Sequence, residues 1–161
     1  MNYAEINKND IVNGEGISVS LFVSGCPHHC PGCFNPEAWD YEYGKKFDEH
    51  NTIIEIIDAL RANGIHRNFS VLGGEPLAPK NRTTIRNIIR AVRSCCDLYS
   101  IKIFLWTGYT FEELLQEQDP VIDEILDNIN VLIDGKYVEE LRDLGLPLRG
   151  SSNQRVLKLK N

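Results

Sequence analysis

At 161 residues and 42% hydrophobic, the chain is long enough to bury one sizeable core and short for two, so a single domain over residues 1–161 is expected. A net charge of -6, from 17 basic against 23 acidic residues, argues against nucleic acid as a partner, because nonspecific affinity for it is built from many Lys and Arg contacts. Residues 1–10 are polar and mixed in charge, unlike a secretory signal, and no apolar run approaches the ~20 residues that span a bilayer. No membrane association and a cytoplasmic location are therefore expected.

Taken in chain order, Asn13-Gly14-Glu15-Gly16 reads as a polar turn ahead of the first predicted strand, Ile17 to Val23. That strand delivers Ser24 to Asn35, which holds Cys26, Cys30 and Cys33 within eight positions. Their spacing suits one helical face, but Pro27 and Pro31 each remove a backbone donor and clash with the preceding turn, so the segment is predicted to be a loop. Two prolines stiffen it and Gly25 and Gly32 let it turn, a construction suited to wrapping one centre. Two centres stay open on these residues. Zinc ordinarily takes four protein ligands, and here His28 or His29 would complete the shell only by an awkward reversal. An iron-sulfur cube needs thiolates on three irons and leaves the fourth for another ligand.

A helix is predicted from Thr52 to Ala62, with Ile53, Ile56, Ile57 and Leu60 on one face and a close near Asn63-Gly64. Phe69 to Leu72 is a short strand ending in Gly73-Gly74-Glu75-Pro76, which by itself reads as a tight turn. The next helix, Thr83 to Arg93, carries Ile85, Ile88, Ile89 and Val92 at helical spacing, and at least one of Cys95 and Cys96 is expected to be a small apolar filler at its end. Adjacent α-carbons stand about 3.8 Å apart, too close for an ordinary disulfide between these two. Ile101 to Trp106 is a strand leading into Thr107-Gly108-Tyr109. Phe111 to Gln116 and Val121 to Leu126 make helical turns broken at Pro120, and Val131 to Ile133 is a strand followed by Asp134-Gly135-Lys136. The polar run Arg149 to Arg155 reads as a solvated loop or a partner-facing one, and His50 and His66 as surface residues.

Strands followed by crossover helices imply an α/β fold with a mainly parallel sheet. The motifs after those strands then share one rim, where ligands bind in such sheets. A full eight-unit barrel takes about 250 residues. The four or five units available here predict an incomplete, open (β/α) barrel whose side gap can admit a loop of another protein. Five cysteines, three of them clustered, suit a reducing compartment better than a disulfide framework.

The spacing Cys-x3-Cys-x2-Cys, followed about forty residues later by Gly73-Gly74-Glu75-Pro76, resembles the radical S-adenosylmethionine enzymes. Val12-Asn13-Gly14, Phe22 to Cys26, Trp106 to Tyr109, Ile133 to Lys136 and Arg149 to Gln154 narrow the likeness to the activating proteins of anaerobic ribonucleoside-triphosphate reductase, with Glu15 standing where those often have Pro. The resemblance implies a 4Fe-4S cluster on Cys26, Cys30 and Cys33. It also implies S-adenosyl-L-methionine held by Gly73, Gly74 and Glu75 at its methionine end and by Gly32, Cys33 and Phe34 at its adenine. Reductive cleavage of that cofactor to a 5'-deoxyadenosyl radical, and removal of hydrogen from a glycine of the reductase large subunit, are the implied chemistry. No side chain is a direct abstractor, and a one-electron donor such as flavodoxin is implied as a second partner. Another glycyl-radical enzyme as the target, or a noncatalytic iron-sulfur or zinc module, are the alternatives.

Overall fold

The computed structural model describes residues 1–96 and 101–160. Seven strands form one mixed sheet that does not close: β1 (Asn2–Asp10), β2 (Ser18–Val23), β3 (Lys45–Lys46), β4 (Asn68–Gly73), β5 (Ile103–Trp106), β6 (Val131–Asp134) and β7 (Arg155–Lys158), in the order β3-β1-β2-β4-β5-β6-β7. The expected parallel arrangement holds for the centre, where β2, β4, β5 and β6 run the same way. Both flanks are antiparallel, since β1 pairs with β2 and β3, and β7 pairs with β6. The sheet is therefore mixed rather than mainly parallel. β1 occupies the polar stretch of residues 1–10 for which the sequence suggested no element, and β7 grows out of the segment read as a loop.

Three crossovers link the parallel strands. α1 (Glu49–Arg61) joins β2 to β4, α2 (Arg82–Cys95) joins β4 to β5, and α3 (Phe111–Gln116) with α4 (Pro120–Leu126) join β5 to β6. α1 begins three residues earlier than its apolar face suggested because the Asp48 carboxylate accepts the Asn51 N–H at 2.9 Å and caps the first turn. α2 buries Ile85, Ile88, Ile89 and Val92 as their spacing requires, each worth roughly 1.5–3 kcal/mol of apolar burial. Pro120 separates α3 from α4 by opening the second at its first turn, where its missing N–H costs nothing. Cys96 packs against the core while Cys95 is exposed, and both are free thiols.

Successive strand residues face opposite sides of the sheet. Val19, Leu21, Val71, Ile103, Leu105 and Leu132 join the helices in the main core. Phe104, Val131 and Ile133 form a smaller cluster on the other face with Trp106, Leu148 and Val156. His50 and His66 are exposed, as expected. No described helix is long and apolar enough to cross a membrane.

Candidate functional site

The register that pairs Val23 with Gly73 and Trp106 with Ile133 ends the parallel strands together, so the segments that follow them meet at one rim. The cysteine loop and the Gly73-Gly74-Glu75-Pro76 loop are joined through the main chain. The Gly74 N–H donates to the Val23 carbonyl and the Glu75 N–H to the Gly25 carbonyl, both at 2.8 Å. Asn81, fully buried at the start of α2, donates its side-chain amide to the carbonyls of Ser24 and Glu75 at 3.0 Å each. A β-carbon on Gly74 would stand 2.7 Å from the Gly25 oxygen and 2.9 Å from the Ala38 oxygen, so only glycine permits this approach. The sequence suggested a close approach to a ligand here; the contact observed is with the chain's own backbone.

Residues 24–35 form a loop, as the two prolines require. Cys26, Cys30 and Cys33 are partly buried free thiols, and the Cys33 N–H closes a turn on the Cys30 carbonyl at 3.1 Å. Gly32 adopts a φ of 69°, and a β-carbon there would meet the Glu139 carboxylate at 2.0 Å. Burial pushes the Cys26 thiol up to about 11, with the amide of His28 opposing and the charge of Glu75 adding to the rise. Cys30 is likewise raised, first by burial and then by Cys33, while the Tyr137 amide on its sulfur opposes. Backbone N–H groups aimed at sulfur are what a thiolate needs when its charge is shared with a metal centre, so this donor set fits an iron-sulfur cluster. Among the described residues no three His, Cys, Asp or Glu side chains are grouped closely enough to share a single ion.

Glu75 is the hub of the rim and is fully buried. Its Oε1 accepts the Leu77 N–H at 2.9 Å and the Thr107 hydroxyl at 2.8 Å. Its Oε2 accepts the Gly108 N–H at 2.7 Å and lies 2.8 Å from His28 Nε2. One carboxylate thus ties the cysteine loop to the segments after β4 and β5.

The remaining predicted residues spread around this hub. Thr107 is buried, and the Tyr109 hydroxyl is held less acidic than usual by burial and by Glu75. The Phe34 ring is fully exposed beside Cys33. Asp134 is buried and receives Arg155 and the Phe111 N–H, so it closes the end of β6. Arg149 to Gln154 is not simply solvated: Gln154 Nε2 donates to the Gly135 carbonyl, Asn153 to the Lys136 carbonyl, and the Ser151 hydroxyl accepts the Val138 N–H. That loop therefore backs the turn whose Tyr137 amide reaches Cys30 and whose Glu139 lies against Gly32. By contrast, Asn13 to Gly16 joins β1 to β2 at the opposite end of the sheet, where Glu15 pairs with Lys102 at 2.6 Å and its carbonyl accepts Asn68.

Asn81, Tyr137 and Glu139 carried no signal in the sequence, because each acts on a loop far from it along the chain. In the sequence His28 offers itself only as a zinc ligand.

Comparison with known proteins adds a family. Residues 12–157 match a family model described as a 4Fe-4S single cluster domain. The chain is 42% identical over 161 residues to the anaerobic ribonucleoside-triphosphate reductase-activating protein of Escherichia coli (strain K12), covering 99% of this chain and 100% of that one. Proteins of the same name from Pasteurella multocida (strain Pm70) and Enterobacteria phage T4 are 39% and 40% identical. They cover 98% and 97% of this chain and 98% and 93% of their own lengths.

Proposed function

The chain belongs to the family of anaerobic ribonucleoside-triphosphate reductase-activating proteins, built on a single-cluster 4Fe-4S domain, and from that premise we propose that it is a radical S-adenosylmethionine enzyme that generates a glycyl radical on the reductase large subunit. Cys26, Cys30 and Cys33 hold the cluster in this reading, and the absence of a fourth thiol in the loop reserves one iron for the cofactor. When bound, the cluster supplies the electron that splits S-adenosyl-L-methionine into methionine and the 5'-deoxyadenosyl radical that takes hydrogen from glycine.

The protein's own part is binding, orientation and exclusion of water. Backbone atoms of Gly73 and Gly74 receive the methionine end, and Gly32, Cys33 and the exposed Phe34 ring serve the adenine. Both oxygens of Glu75 already accept protein donors, so Glu75 serves the amino group indirectly by holding the Gly73-Gly74 shelf. The unclosed sheet is read as an incomplete radical S-adenosylmethionine barrel of one domain, its side opening admitting the glycine loop of the reductase. A reduced donor such as flavodoxin delivers the electron.

The observation that carries this reading is the stitching of the three-thiol loop to the Gly-Gly-Glu-Pro loop by main chain and Glu75. Thiol ligands and cofactor shelf then form one rigid wall, as a reaction between them demands. Anaerobic reconstitution with iron and sulfide, reduction, and addition of S-adenosylmethionine and the reductase tests it. Methionine release and a glycyl electron-spin signal are expected, and Cys30→Ala abolishes both while the far-ultraviolet circular dichroism stays native. A reconstituted protein that leaves the cofactor intact under strong reduction refutes it.

A further inference from the structure

His28 sits between two of the thiols assigned to the cluster, and its imidazole is bonded to Glu75 on the rim. Nε2 lies 2.8 Å from Glu75 Oε2, and the side chain is only 6% exposed. The ring meets Tyr109 edge-on with centroids 4.6 Å apart. A β-carbon on Gly108 would stand 2.4 Å from the imidazole Cδ2, so the glycine is what lets the ring approach the turn after β5 this closely. A carboxylate only accepts, so the imidazole is the donor in the pair. Glu75 in turn receives Thr107, Gly108 and Leu77. The side chain of a loop residue is thus anchored to two other strand ends.

We propose that His28 is a positioning residue: its Nε2–H to Glu75 bond fixes the Cys26-to-Cys33 loop against the Gly73-Gly74 shelf, and so sets how the thiols face the cofactor. This rests on the function assigned above. The loop has few other holds of this kind. Pro27 and Pro31 donate no N–H, and the backbone bonds near the thiols close turns within the loop or enter it at Gly25 and Cys26. Between Cys26 and Cys33 the Cys30 sulfur accepts the Tyr137 amide, on the far side of the rim, and the arm from His28 is the side-chain bond, among the described residues, that reaches the Gly73-Gly74-Glu75 loop.

Two opposite substitutions separate a positioning bond from simple packing. His28→Phe keeps a ring between Gly108 and Tyr109 but has no donor, whereas His28→Gln keeps an N–H in the ε position without the ring. In the iron-free chain, amide hydrogen exchange over residues 26–33 is expected to rise about tenfold in His28→Phe and to stay within about twofold of wild type in His28→Gln, the loss of one charge-assisted bond from a local opening equilibrium. In the reconstituted protein, the change in the reduced-cluster spin signal on adding S-adenosylmethionine should require about tenfold more cofactor in His28→Phe and be restored in His28→Gln. Should Phe at 28 fail to fold, Gly108→Ala presses a methyl against the imidazole and is expected to raise loop exchange in the same way. The reverse pattern, with Phe native and Gln impaired, assigns the ring to packing and overturns the proposal, as does wild-type behaviour in both variants. A wild-type protein whose cluster never responds to the cofactor refutes the function above, while the exchange measurement still decides the role of His28.

Discussion

Two buried carboxylates stand at opposite ends of the parallel strands and do different work. Asp10, at the end of β1, accepts the N–H groups of Val12 and Asn13 and the Asn13 side-chain amide, all within three residues of itself. Glu75 accepts one neighbour, Leu77, and then Thr107, Gly108 and His28, which lie 32, 33 and 47 residues away. The first carboxylate closes a local turn. The second holds three separate loops in one geometry, and that is the end where the thiols are. A buried acid bonded locally is a piece of fold, whereas one bonded across the sheet sets the shape of a site.

Breaking the hub has the largest expected effect. Glu75→Ala leaves a hydroxyl, two amides and an imidazole without their acceptor in a buried place, a loss of about 3–5 kcal/mol. Urea unfolding of the iron-free chain measures it, and cluster content after reconstitution should fall with it. A loss under about 1 kcal/mol would mean that Glu75 holds no more of the fold than Asp10 does.

Gly74→Ala comes next. Its methyl meets two carbonyl oxygens, of Gly25 and Ala38, neither of which can yield without opening the cysteine loop. A cost of about 1–3 kcal/mol is expected, together with weaker binding of S-adenosylmethionine, read by titration of the reduced-cluster spin signal. Unchanged cofactor affinity would separate the shelf from the loop it abuts.

The smallest effect belongs to Asp10→Asn, which should cost about 1 kcal/mol at neutral pH and leave cluster assembly unchanged. Burial alone would raise this carboxyl, but bonds from the Asn13 side chain and the Val12 and Asn13 amides override it and hold the group below its ordinary value of 3.8. A group with a depressed folded pKa contributes stability that is present above the unfolded value and lost as pH falls through the folded one. The stability gap between wild type and Asp10→Asn should therefore be full above about pH 5 and close in stronger acid. A gap that widens on acidification would reverse the sign of the assignment.

Much of the interior was legible because it depends on short periods. The Ile85, Ile88, Ile89 and Val92 face is a helical repeat that any buried helix must show, and it is the face α2 buries. Pro27 and Pro31 dictate a loop wherever the segment lies. The flanking strands were not legible for the converse reason. β1 presents Glu5, Lys8 and Asn9 to solvent and alternates poorly, and β7 is four residues long at the sheet edge. What makes each a strand is the ladder offered by β2 or β6, a partner no local window contains.

The same division runs through the site. Residue order alone determined that three thiols would share a proline-stiffened loop at a strand end, and that a double glycine would follow the next parallel strand, since bond geometry and turn chemistry act over a few residues. Only the tertiary structure decided that Glu75 would turn inward to Thr107, Gly108 and His28, that Asn81 would bridge two loops, and that Tyr137 would reach Cys30 and Glu139 the neighbouring Gly32. Those contacts exist because the sheet register brings distant strand ends to one level, and burial then compels each polar group to find its partner there.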